Sequence, residues 1–423
     1  MTKKTSSGVG VFAIGVFFSA ILSWNCQVFA AGFGVFTQGA SALGQAAAVT
    51  AHSDSPSTIF YNPALLNDLE GTHVEAGTTL FFFNREFKSD ADGDTHEMED
   101  ELKYPSTFYL SHTFNDKLAA GVGVFFPFGL ATDWKDDWEG RFISTKAEMT
   151  TYTINPVISY RPHPRVSVAA GLDVVFLDAT LRNKIDFGGG IEGSQKFEGD
   201  DTGLGYNLGL AIQLTDKARF GMSYRSEVEL TIDGDAKFSN IPGALADLFP
   251  NTGGKADLTL PQQLTFGLAY QVTEPLIVEV GARWEDWSSF DELRIELDQL
   301  VAGQSESITP RDWDDTWAFN VGTKYRVNEN LALLAGYLYG NNPAPSSTFD
   351  PSIPDSDTHL FTLGADLSFG NVTVSLSYGF QKQKDRDKNN AIGTGFATES
   401  GGANGTYKTE AHLFALSIGY QFL

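Results

Sequence analysis

The sequence predicts an all-β membrane protein, a 14-stranded antiparallel transmembrane β-barrel, and three observations predict it. Apolar residues alternate with polar or small ones from Thr72 to Leu423, the period of strands with two different faces. Several alternating runs exceed about ten residues, longer than the usual strands of a soluble sandwich and long enough for a tilted membrane strand. Short turns at 115–117, 162–164, 215–216, 273–275, 328–330 and 370–371 alternate with long polar stretches near 89–103, 130–142, 188–201, 239–257, 298–312, 343–357 and 387–405. Six turns between seven loops give seven hairpins, hence fourteen strands, with the short-turn, long-loop asymmetry of outer-membrane barrels.

Residues 1–30 read as a signal peptide. Lys3 and Lys4 precede an apolar run from Gly8 to Trp24, and Val28-Phe29-Ala30 supplies small residues for cleavage before Ala31. An uncleaved anchor is the weaker reading, because about 17 apolar residues barely span a bilayer. The lone Cys26 falls inside this leader, so neither a disulfide framework nor a multi-cysteine metal site is available. Trp24-Asn25 stand where a lipoprotein needs small residues. No later stretch is long and apolar enough for a membrane helix, which leaves a soluble exported protein or a barrel. A net charge of −24 excludes a nucleic-acid partner, which requires a basic surface.

Residues 31–71 do not alternate. Ala, Gly and Ser dominate, as in Gly39-Ala40-Ser41-Ala42-Leu43-Gly44, and the turn-forming Asn62-Pro63-Ala64 follows. Two readings are open from the residues alone: a mobile periplasmic tail, or a plug whose small side chains allow close approach to the inner wall of a wide barrel.

Residues 72–423 form the barrel. Leu204, Tyr206, Leu208, Leu210, Ile212 and Leu214 share one face, with Gly203, Gly205, Asn207, Gly209, Ala211 and Gln213 opposite. The next run places Phe220, Met222, Tyr224, Val228 and Leu230 on one side, and Arg219, Ser223, Arg225, Glu227 and Glu229 on the other. The last strand sets Phe414, Leu416, Ile418, Tyr420 and Phe422 on one face, resembling the aromatic ending by which the barrel-assembly machinery takes up its clients, although Leu423 follows. Lipid offers no hydrogen bond to a sheet edge, so such a sheet must close.

A set of short motifs extends this reading. In order they are Ala31-Gly32-Phe33, Asn62-Pro63-Ala64, Pro127-Phe128-Gly129-Leu130, Tyr224-Arg225-Ser226, Trp284-Glu285-Asp286-Trp287-Ser288-Ser289-Phe290, Asp314-Asp315-Thr316-Trp317 and Ile353-Pro354-Asp355-Ser356-Asp357. With them the chain, from Ala31 onward, resembles the FadL-type family of outer-membrane transporters for long-chain fatty acids and other hydrophobic compounds, which includes aromatic-hydrocarbon uptake channels. The resemblance implies a 14-stranded barrel plugged by an N-terminal hatch, here residues 31–71. It also implies a Gram-negative outer membrane as the location, a monomer among outer-membrane lipids and lipopolysaccharide, no cofactor and no catalysis. The implied mechanism is capture near the outer loops, transfer to an interior pocket, and lateral exit through the wall beside strand three. Long-chain fatty acids are the first substrate class and toluene-type hydrocarbons the alternative. A general porin and an outer-membrane enzyme are more remote, since the His residues form no ligand pair and Ser41 misses a G-x-S-x-G motif by one position.

The residues offer a physical reason for an opening. Pro127 lacks the N–H that a ladder needs and Gly129 tolerates a departing backbone, so strand three is defective at Pro127-Phe128-Gly129; the bland reading is that Pro127 ends the strand at the rim. By the resemblance, Phe33 reaches the interior pocket and Asn62 bonds near the strand-three defect. Alternation points Arg225, Arg283 and Lys324 into the lumen, where they would meet a carboxylate headgroup or pair structurally with Glu227, Glu279 or Glu285. The first outer loop carries Asp90, Asp92, Asp94 and Glu101 at partial EF-hand spacing, but Thr95 stands where that loop requires Gly, so a solvated acidic loop is the stronger reading.

Overall fold

The computed structural model describes residues 32–99, 102–393 and 402–422. The proposed leader with Cys26, Ala31 and the loop residue Glu101 lie outside the described residues. Fourteen strands run antiparallel around one closed wall. The first seven are β1 (Thr72–Ser89), β2 (Ser106–Asn115), β3 in two pieces (Leu118–Phe125 and Gly129–Asp133), β4 (Lys146–His163), β5 (Val166–Asp186), β6 (Glu192–Gln213) and β7 in two pieces (Ala218–Arg225 and Val228–Ser239). The rest are β8 (Thr252–Leu260 and Gln263–Thr273), β9 (Leu276–Glu285 and Glu292–Val301), β10 (Gln304–Pro310 and Thr316–Asn328), β11 (Leu331–Gly340), β12 (Thr358–Phe369), β13 (Val372–Gln383) and β14 (Gly405–Phe422). β1 and β14 close the cylinder, pairing from Thr72 opposite Phe422 to Ser89 opposite Gly405.

The outward faces carry the lipid belt. Leu204, Tyr206 and Leu208 on β6 and Phe414, Leu416 and Ile418 on β14 are exposed, while their neighbours along each strand are buried in the interior. Above the belt the chemistry inverts. Glu198, Asp200, Glu229 and Asp233 point outward to water, and Phe197, Leu230, Ile232, Ala256 and Leu258 point inward into one apolar cluster.

This inversion corrects two sequence expectations. The polar stretches 188–201 and 298–312 are mostly strand rather than loop: β5 and β6 pair up to Asp186 opposite Glu192, and β9 and β10 pair up to Val301 opposite Gln304. Strand above the membrane has a charged outer face, so its composition imitates a loop. In β7 the alternation slips at Ser226-Glu227, between the two pieces, and reverses all that follows. Val228 and Leu230 are therefore interior, and Glu227 and Glu229 are outside rather than in the lumen.

The segment before β1 folds inside the barrel. It comprises α1 (Ala40–Gly44), α2 (Thr58–Tyr61) and a 3₁₀ turn Pro63–Asp68, and its side chains from Phe33 to Ala51 and Ser55 to Leu66 are buried with few exceptions. Small inner-wall residues let its backbone seat directly on the strands. A Cβ at Gly221 would stand 2.1 Å from Thr50 O, and one at Gly336 would stand 2.5 Å from Gln45 C. The fully buried Glu279 carboxylate of β9 then accepts from three successive backbone amides, Thr50 N (2.6 Å), Ala51 N (3.0 Å) and His52 N (3.0 Å), and meets His52 Nδ1 at 2.7 Å.

These contacts generate a prediction. Glu279→Ala leaves several buried donors unpaired, a cost of about 3 kcal/mol or more, and Gly221→Leu drives a side chain into the hatch backbone. Either substitution should raise single-channel conductance in planar bilayers well above the wild-type level. Conductance equal to wild type in both variants would refute this seating.

Candidate functional site

The wall is interrupted where Pro127 stands. β3 pairs with β4 from Leu118 opposite Tyr160 to Phe125 opposite Thr153, and again from Gly129 opposite Thr150. Three residues, Phe126 to Phe128, thus face two on β4, a bulge. On the other side β2 follows β3 only as far as Phe108 opposite Val124. The Gly129–Asp133 piece has no strand partner on that side among the described residues until the Met98–Trp134 bridge. The strand resumes after the proline, so Pro127 does not merely end it.

The hatch N-terminus lies against this interruption. Gly34 forms a bridge with Phe128, with Val35 N donating to Pro127 O (2.8 Å) and Gly129 N donating to Phe33 O (2.9 Å). The Phe33 ring fills an aromatic cage, with ring centroids 4.5 Å from Trp287, 5.8 Å from Phe290 and Trp313, and 6.2 Å from Phe128. Gly32 enters with φ +58°, and a Cβ there would lie 2.8 Å from both tryptophans, so this position admits only glycine. Its amide donates to Asp355 Oδ2 (2.8 Å) in the outer loop between β11 and β12, and Gln383 Nε2 donates to Asp355 Oδ1 (2.9 Å). Burial pushes the Asp355 carboxyl up to about 7, against the lowering pull of the Gly32 amide and of Arg386.

Two further spaces are lined by wall and hatch residues other than the rings of the cage. The outer chamber, about 270 Å³, has apolar walls from Leu181, Phe197, Leu293 and Ile295, and a polar edge that includes Arg311 and Asp350. Arg311 is buried, donating from Nη1 to Asp350 Oδ2 (2.7 Å) and from Nη2 to Ser352 Oγ (3.1 Å). The inner cavity is only about 40 Å³ and lies between the hatch and β7–β11, lined by Tyr61, Arg225, Gln263, Arg283 and Asn320 among others.

The lumen cations foreseen by alternation do point inward, with these partners. Arg225 Nη1 pairs with Asp173 Oδ1 on β5, and its guanidinium stands 5.0 Å above the Phe125 ring. Lys324 pairs with Asp54 of the hatch and with Asp366 of β12 (2.8 Å). Arg283 has Glu285 at 3.7 Å, lies over the Phe36 ring, and leaves Nη2 buried with no hydrogen-bond partner among the described residues. Of the three expected partners only Glu285 is used by one of these cations; Glu279 holds the hatch, and Glu227 is outside.

Asn62 corrects a further expectation. Its Oδ1 accepts from Ala64 N (3.2 Å), capping the turn begun by Pro63, while Nδ2 donates to Thr50 O (2.8 Å) and to Leu210 O (3.0 Å) on β6. It therefore stitches the hatch to strand six, not to strand three. Asp90, Asp92 and Asp94 form an exposed hairpin tip, with Asp94 N donating to Asp92 Oδ1 (2.9 Å). Among the described residues no three His, Cys, Asp or Glu side chains gather at a metal-sized site.

Sequence reasoning misses Asp173, and it reads Glu279 as a partner for a lumen cation where the carboxylate instead holds the hatch backbone. A signal existed for Asp173: both faces of β5 are apolar there, yet a carboxylate at membrane depth must point inward.

A family model described as "Outer membrane protein transport protein (OMPP1/FadL/TodX)" matches residues 20–422. Among curated proteins, a long-chain fatty acid transport protein of Escherichia coli O6:H1 is 24% identical over the full length of both chains. Outer membrane protein P1 of Haemophilus influenzae is 24% identical over 75% of each. Among solved structures, a Pseudomonas aeruginosa FadL homologue superposes with a TM-score of 0.82 at 20% identity, covering 93% of this chain and 100% of the other. The P. putida toluene transporter TodX superposes with a TM-score of 0.73 at 18% identity, covering 91% and 98%.

The raised Asp355 carboxyl gives a signed pH dependence. The ordinary carboxyl value is 3.8 and the folded value about 7, so the folded state holds a proton between these limits that the unfolded chain releases. The folded state should lose stability at this site as pH rises from about 4 to about 7. Thermal unfolding of detergent-solubilised wild type and Asp355→Asn should show the wild type falling relative to the variant across that window. Parallel pH profiles would contradict the assignment.

Proposed function

The chain belongs to the OMPP1/FadL/TodX family of outer-membrane transport proteins, and from that premise we propose that it carries long-chain fatty acids from the cell exterior into the lipid of the outer membrane. The outer chamber receives the apolar chain. Displacement of Phe33 from its cage joins the chamber to the inner cavity, and release into lipid follows through the break at Pro127 to Gly129. The protein works as a monomer, takes no cofactor and makes or breaks no covalent bond. Its folding into the membrane falls to the barrel-assembly machinery.

The observation that carries the fatty-acid reading is Arg283. A buried guanidinium nitrogen with no hydrogen-bond partner is costly and rare in folded proteins, and among the described residues Arg283 Nη2, beside Arg225, Gln263 and Asn320 on the wall of the inner cavity, is such an atom. A carboxylate headgroup satisfies it; a hydrocarbon cannot. Each methylene buried from water contributes about 0.8 kcal/mol, so an apolar chamber captures a long tail readily. Release becomes the limiting step, and an exit into lipid lets the tail pass from one apolar medium to another.

A second reading has an observation of its own. The four rings around Phe33 form a compact aromatic box of a kind that suits a monoaromatic hydrocarbon, which would take the place of the Phe33 ring.

Binding of a 16-carbon acid, its methyl ester and toluene to the purified protein separates the two. Arg283→Ala should weaken the acid by roughly 10-fold or more, the scale of one charge-assisted hydrogen bond, and leave the ester and toluene nearly unchanged. Equal losses for acid and ester would place headgroup recognition elsewhere. Tight toluene binding with none for the acid would decide for the aromatic reading.

A further inference from the structure

We infer that Gln38 is a removable rung of the barrel ladder: its side-chain amide stands in, at Phe126, for the strand partner that the wall break takes away. The rung itself is argued from hydrogen bonds alone; only its consequence for release rests on the wall-exit reading above.

Every backbone group across the break has a partner, and the partners are unusual. Phe126 N donates to Gln38 Oε1 (3.1 Å), and Gln38 Nε2 donates to Phe126 O (2.6 Å). Pro127 has no N–H, and its carbonyl accepts from Val35 N (2.8 Å). Phe128 N donates to Thr151 Oγ1 (3.1 Å), which donates back to Phe128 O (2.6 Å). Gly129 N donates to Phe33 O (2.9 Å). On the β2 side of the break, the sheet is thus completed by residues 33–38 of the hatch.

Gln38 makes the reciprocal pair. A carboxamide carries the same donor and acceptor as a peptide group, and its two bonds to Phe126 copy the hydrogen-bonded pair of an antiparallel ladder. The residue is fully buried and held at both ends of its own peptide: Gln38 N donates to Tyr61 Oη (3.0 Å) and Tyr109 Oη donates to Gln38 O (2.7 Å). Its second Nε2 hydrogen goes to Val35 O (3.1 Å). Glutamate at this position would accept but not donate, and leucine would do neither.

A rung supplied by a side chain of the plug can leave without breaking a covalent strand. Phe33, Val35 and Gln38 lie on one short segment, so movement of that segment from the aromatic cage withdraws three partners from the break together. Gln38 is accordingly a positioning residue for the wall, not a ligand for the substrate.

The test is amide hydrogen exchange in the full, processed protein reconstituted in lipid nanodiscs with no hydrophobic compound added. Gln38→Leu keeps the bulk and removes both bonds; Gln38→Glu keeps the bulk and the acceptor. Gln38→Leu should exchange about 10-fold or more faster than wild type at Phe126, the scale expected for loss of one or two buried hydrogen bonds, and faster than Gln38→Glu, which still accepts from Phe126 N, while residues 263–285 of β8 and β9 keep wild-type rates. Wild-type protection of Phe126 in Gln38→Leu would show that Gln38 only fills space, and would overturn the inference. If Gln38→Leu fails to form the barrel, exchange in residues 263–285 rises as well, and Gln38→Met, which likewise lacks the amide, decides. Transfer of a 16-carbon acid into the surrounding lipid should also become several-fold faster in Gln38→Leu at unchanged affinity. Faster exchange with unchanged transfer keeps the rung and removes the wall-exit reading.

Discussion

Everything in this molecule depends on one constraint: inside hydrocarbon, a backbone N–H or C=O can be satisfied only by protein. Closure of β1 on β14 answers that constraint for the cylinder as a whole. The break in β3 violates it locally, and the violation is mended by a piece of chain that does not belong to the wall. A perfect ladder would be stable and sealed. A wall with a gap would leave costly unpaired groups. A gap filled by a plug segment keeps those groups paired while the segment stays.

The hatch is accordingly held unevenly. Its middle is fixed by the Glu279 carboxylate, by Lys324 with Asp54, and by Asn62 on β6, in contacts that draw on charge or on several buried hydrogen bonds. Its beginning is held by the Phe33 ring, the Gly32 amide on Asp355, and neutral hydrogen bonds at the break. Charge thus anchors the middle of the hatch, whereas ring packing and largely neutral hydrogen bonds hold its beginning.

Much of this was legible in the chain. Strand number, barrel closure, lipid-facing positions on β6 and β14, and the defect at Pro127 follow from alternation, turn spacing and the chemistry of proline. Alternation failed where its premise failed. Above the membrane the outer face meets water, so Glu198 and Asp200 imitate a loop, and the slip at Ser226-Glu227 carries no marker in the residues themselves. Pairings across the barrel were out of reach for a different reason. Asp173 finds Arg225, and Gln38 finds Phe126, only because the closed cylinder brings distant strands and the plug together, and no periodicity encodes a contact between residues 88 positions apart. The aromatic cage was partly visible, since Phe33 and the Trp287 to Phe290 run stood in the motifs, but their meeting was not.

The account turns on whether the mended break is the way into lipid. Gly34 and Phe128 are bridged residues on the two sides of that mend, so the double variant Gly34→Cys, Phe128→Cys can be joined or freed by oxidant and reductant. The decisive measurement is the rate at which a 16-carbon acid passes into the bilayer of proteoliposomes containing this variant. The account predicts that transfer stops when the pair is oxidised and returns on reduction. Transfer at one and the same rate in both states would contradict it and require another way out of the barrel.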